Sequence, residues 1–60
     1  MTYEQMFVVD AMKNYGGSFV KALAECFYRA DDVNFALLKN VFPAYWREYQ
    51  EMAKTMNNKE

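Results

Sequence analysis

The fold this chain predicts is all-α, three to four short helices in a small bundle. Three observations carry the prediction. Apolar residues recur at helical spacing along nearly the whole chain. Gly16-Gly17, Asp31-Asp32 and Pro43 cut it into four segments of helical length. Helix-start chemistry stands at the head of each segment.

The first helix runs from about Tyr3 to Asn14, because Thr2 with Gln5 three residues on has capping-box spacing. The run Met6-Phe7-Val8-Val9 is too short and lacks a pairing hairpin for a strand. Phe7, Val8, Ala11, Met12 and Tyr15 share one face, leaving Met6, Val9 and Tyr3 on another. Gly16-Gly17 supplies the left-handed residues that end a helix.

Ser18 is the expected N-cap of a second helix, Phe19 to Ala30. Its polar side chains Lys21, Glu25 and Arg29 occupy a strip only about 80° wide. Glu25 precedes Arg29 by four residues, the favourable order for an ion pair. The rest is apolar, Cys26 included, so this helix is placed at the centre of the bundle and its thiol is read as buried and inert.

Asp31-Asp32 caps a third helix, Val33 to Val41, lined on one side by Phe35, Leu38 and Phe42 with Leu37 and Val41 beside them. Pro43 cannot continue that helix but can open a fourth, making Phe42-Pro43 a hinge. On the fourth helix Phe42, Tyr45, Trp46, Tyr49, Met52, Ala53 and Met56 fall within an arc of roughly 120°. Residues 1–60 read as a single domain, with Asn57-Asn58-Lys59-Glu60 as a frayed tail.

Composition limits the chemistry. There is one cysteine and no histidine, which excludes an internal disulfide and a multi-cysteine zinc site, and removes the commonest proton shuttle. Seven basic and eight acidic side chains give a net charge of −1, with no basic cluster to grip a phosphate backbone. No apolar run approaches the roughly 18 residues of a membrane span, and no signal peptide is visible. These readings predict a cytoplasmic protein without membrane contact, metal, cofactor or catalytic residue. Asp31-Asp32, Glu48 and Glu51 read as cap and solvated face, since a general acid or base needs an enclosing pocket.

What remains is an apolar surplus. Eleven aromatics occupy 60 residues, and 25 of the 32 apolar side chains are larger than alanine. A domain of this size can fully bury about half that number. Phe42, Trp46 and Tyr49 are assigned inside, and the expected contact residues are Tyr45, Tyr49, Met52 and Met56. Tyr28, Met6 and Val9 come second, with Arg29 and Arg47 supplying rim hydrogen bonds. Self-association, most simply a two-fold dimer, is the cheapest way to cover them.

Two other readings are weighed. A helix-turn-helix regulator would have only Lys21 and Arg29, or Lys39 with Asn34 and Asn40, to read DNA. A small-anion site would use the free amides of Gly16, Gly17 and Ser18, but Lys21 is misplaced for a phosphate loop.

The string Gly16-Gly17-Ser18-Phe19-Val20-x-Ala22-Leu23-Ala24-Glu25, then Arg29-Ala30-Asp31, Asn34, Leu38 and Phe42-Pro43-x-Tyr45-Trp46-x-x-Tyr49, resembles a group of very short phage and prophage proteins of uncharacterised role. The likeness covers residues 15–53, and its motif consists of turn, cap and packing residues. The resemblance implies an intracellular accessory protein of phage growth or of a prophage. It also implies action by occluding a host protein, components of bacterial defence such as CRISPR effectors among them.

Overall fold

Four helices and no strand make up the described residues, 1–57, of the computed structural model. They are α1 (Tyr3–Tyr15), α2 (Ser18–Arg29), α3 (Asp32–Val41) and α4 (Pro43–Asn57). The expected all-α bundle is what forms. Of the expected frayed tail, Asn58, Lys59 and Glu60 lie outside the described residues, and Asn57 closes α4.

Two helix starts follow the sequence closely. The Gln5 amide N–H donates to Thr2 Oγ1 at 3.1 Å, and the Thr2 N–H donates to Gln5 Oε1 at 2.9 Å. The Asn34 N–H donates to Asp31 Oδ1 at 2.8 Å, capping α3. Each arrangement satisfies amides that the first helical turn cannot pair internally. Phe42 leaves helical geometry at φ −124°, ψ 56°, and Pro43 opens α4, so the hinge falls where it was expected.

The α1–α2 corner is built differently. Gly16 and Gly17 hold φ of −79° and −76°, both extended, and no described residue has a left-handed backbone. Gly16 is needed for space: a Cβ there would stand 2.5 Å from Val20 Cγ1 and 2.6 Å from the Met12 carbonyl oxygen. Ser18, expected as the cap, is the first residue of α2. Gly17 takes the cap position and offers no side-chain hydrogen bond.

One core joins all four helices, with α1 lying along both α2 and α4. α2 meets every other helix, as its apolar composition implied. Beyond its packing on α1 and α3, its Phe27 ring lies 4.9 Å from Phe35 of α3 and 5.1 Å from Trp46 of α4. The Phe35 and Trp46 rings stand edge-to-face at 5.4 Å, which closes a triangle of aromatic contacts.

Two burial expectations fail. On α1 the inward residues are Val8, Val9, Ala11 and Met12, while Phe7 and Tyr15 are exposed. Because α1 is flanked by α2 and α4, its buried arc is rotated toward Val9; Tyr15, its last residue, stands in solvent. α2 is not encircled: Ala22 and Cys26 are exposed, so the thiol is not a core group. The chain turns into α3 at Ala30, and among the described residues no helix covers Ala22 and Cys26.

Candidate protein-docking surface

The α2–α3 corner leaves an open apolar groove of about 430 Å³. α2 ends at Arg29, and one residue, Ala30, separates it from the Asp31 cap of α3. The two helices touch only lightly, and Phe35 is the one buried residue through which α3 enters the core. Cys26 and Ala30 line the α2 side of the groove; Leu37, Leu38, Val41 and Phe42 line the α3 side. Arg29 and Asn34 stand at its rim.

The walls are open to water. Val33, Leu37 and Val41 are 71%, 52% and 65% exposed, and they recur at every fourth residue of α3. Phe19 of α2, 54% exposed, places its ring 5.8 Å from that of Phe42 and 5.7 Å from that of Tyr45. The apolar surface therefore runs from Phe19 across Phe42 into the groove. Arg29 is paired by its Nε to Glu25 Oε2 at 2.8 Å, with both side chains well exposed. Such a pair contributes a few tenths of a kcal/mol to stability, and its larger effect is to leave the rim neutral.

The residues expected at an interface scatter over the molecule. Tyr45 and Met52 are half-buried against the core, Met56 and Met6 are exposed, and Arg47 points outward from α4. Arg29 alone of them lines the groove. The structure places Tyr49 and Val9 in the core instead of at an interface, Val9 at 0% exposure, on the two helices α4 and α1 that pack against each other. Tyr28 is partly exposed but committed internally. Its hydroxyl donates to Asp10 of α1, and the Lys13 ammonium stands 5.6 Å over its ring. The hydrogen bond to the Asp10 carboxylate, with burial and the nearby negative charges, raises the phenol from 10.0 to about 12.

The anion reading loses one of its three donors. Gly16 is buried and its N–H donates to the Met12 carbonyl at 3.0 Å, so that amide is not free. A second hollow of about 440 Å³ is bordered by Met1, Gln5, Tyr28, Asp32 and Lys39. Its two charged members have structural work: Asp32 lies in the first turn of α3, and the Lys39 ammonium stands 5.0 Å over the Trp46 ring. Among the described residues, no group of three or more Cys, Asp or Glu side chains is arranged to hold a metal, and no helix is long and apolar enough to cross a membrane.

Sequence reasoning missed Phe19, Val33, Leu37, Val41 and Cys26 as surface residues. The signal for the α3 stripe was present in the four-residue spacing of Val33, Leu37 and Val41. Comparison of the chain with known protein families, with curated proteins and with solved structures finds no match in any of the three.

Proposed function

We propose that this protein is a non-enzymatic protein-interaction module that docks its partner on the α2–α3 apolar surface. The observation that carries the reading is the apolar strip from exposed Phe19 over half-buried Phe42 to exposed Leu37 and Val41. Apolar surface of this kind gains free energy when another protein removes it from water. Exposed aromatic side chains beside a concave apolar surface are the equipment of a protein contact.

A DNA-binding regulator is less well supported. Lys39, the only basic residue of α3, is engaged over Trp46, and Arg29 is neutralised by Glu25. The resemblance to very short phage and prophage proteins supports a more specific setting. There the chain would be an accessory protein that occludes a host protein, an inhibitor of bacterial defence such as an anti-CRISPR being one such role.

Affinity capture from host cells tests the reading, using the wild-type chain beside Val41→Lys. The wild type should retain a protein at low and high salt alike, and Val41→Lys should lose it. Recovery of nucleic acid that falls steeply with salt, through counterion release, would overturn the proposal.

A further inference from the structure

We infer that the occupant of the α2–α3 groove is a second copy of this chain, docked by a two-fold contact of α3 on α3; this deepens the docking reading and rests on it. Val33, Leu37 and Val41 form a single ridge at i, i+4, i+8, and its Leu37 and Val41 are also the α3 wall of the groove. Ridges of that spacing on two helices interdigitate, each row seating between the rows of the other, at a crossing angle of about −50°. A two-fold operation brings each copy's ridge to the other's groove, so one surface supplies both halves of the fit.

Charge agrees. A surface that meets itself cannot oppose like charges without cost. Asn34 and Asn40 flank the ridge, Lys39 is turned to Trp46, and Arg29 at the rim is neutralised by Glu25. Two neutral apolar stripes can therefore face each other directly.

The area reaches the lower bound for a specific contact. Phe19, Val33, Leu37 and Val41 are each more than half exposed. With about 150–250 Å² for the phenyl ring and about 60–120 Å² for each branched aliphatic side chain, they leave roughly 300 Å² of apolar surface on each copy. Interfaces are a little over half apolar, so such a patch belongs to a contact of roughly 1,000 Å² across two copies. Specific contacts begin at about that size.

Sedimentation equilibrium over a wide concentration range, with far-UV circular dichroism to verify folding, tests this. The wild type should approach twice its 7.1 kDa mass as concentration rises. Over the same range Cys26, which lines the groove, should react progressively more slowly with a maleimide. Leu37→Asp and Leu37→Lys change an exposed residue, so each should stay helical and remain monomeric. Leu37 is the middle residue of the ridge and meets its own copy near the two-fold axis. Mixing the two variants should therefore restore a dimer, now a heterodimer.

A wild type that stays monomeric with a constant Cys26 rate would overturn the inference. So would a dimer that survives Leu37→Asp. In either case the docking reading is judged separately, by whether a heterologous protein captured by the wild type is lost by Val41→Lys.

Discussion

Gly16 and Val20 approach so closely that a single added methyl group on the glycine would lie 2.5 Å from Val20 Cγ1. The same methyl would meet the Met12 carbonyl oxygen at 2.6 Å. One is a β-branched side chain of α2 and the other is backbone of α1, so neither can swing aside. The missing Cβ lets the first turn of α2 close onto the end of α1, and the α1–α2 half of the core depends on that approach.

Gly16→Ala should therefore destabilise the protein by about 1–3 kcal/mol, the usual cost of forcing volume into a packed site. Gly17→Ala meets nothing within 4 Å and keeps an ordinary backbone angle, so it should lose only about 0.5 kcal/mol, because alanine is a poorer N-cap than glycine. Gly17→Ser should gain a few tenths through the side-chain cap that α2 lacks. Urea unfolding of the three variants checks the order. Equal losses at 16 and 17 would contradict the steric account.

Tyr28 ties α2 to α1 through its hydrogen bond to Asp10. Replacing it by Phe should cost about 0.5–1 kcal/mol at neutral pH, a modest figure because the pair is exposed. The folded-state phenol is raised to about 12 from 10.0, so the native state holds its proton more tightly than the unfolded chain does. Its contribution is complete below pH 10 and is lost as pH rises through about 12. The stability gap between wild type and Tyr28→Phe should be constant from pH 7 to 9 and close toward pH 12. Taking the difference cancels the other tyrosines and the lysines. A gap that widened with alkali would reverse the assigned direction.

How much was legible depends on how local each cause is. The Thr2–Gln5 box, the Asp31 cap, the Glu25–Arg29 pair and the Pro43 start each need only three or four neighbouring residues, and all appear as read. Gly16 ends α1 without a left-handed backbone, and its need for space arises from Val20 across a turn. The buried face of α1 is not local either, because one helical wheel cannot say that two helices press on it; Val9 goes inside and Phe7 outside. The surplus of apolar groups was visible in composition. Its address on α3 was not, because that depends on the angle at which α3 leaves Ala30.

Trp46 sits where three elements converge, against Phe27 of α2, Phe35 of α3 and the Lys39 ammonium. Trp46→Ala should remove about 3–5 kcal/mol, comparable with the whole stability of a domain this small. Its helical circular dichroism signal should collapse at room temperature. Met56→Ala, on the same helix but exposed, should unfold within a few degrees of wild type. Retained cooperative unfolding in Trp46→Ala would show that the aromatic triangle is not what unites the helices.

The α3 wall of the groove has the weakest attachment in the bundle, with Phe35 its one buried side chain. Its stability therefore leans on the Asp31 cap, and Asp31→Ala should cost about 1 kcal/mol, concentrated in that helix. Amide hydrogen exchange should quicken at residues 35–41 while the amides of α1 keep their protection. Asp32→Ala removes first-turn charge without removing the cap bond, and should produce a smaller effect of about 0.3–0.5 kcal/mol. Because Leu37 and Val41 ride on α3, a partner seated on them should slow exchange across residues 35–41 and offset the Asp31→Ala loss. Uniform acceleration across all four helices would show instead that α3 unfolds only with the whole domain, and that the groove wall is as firmly held as the core.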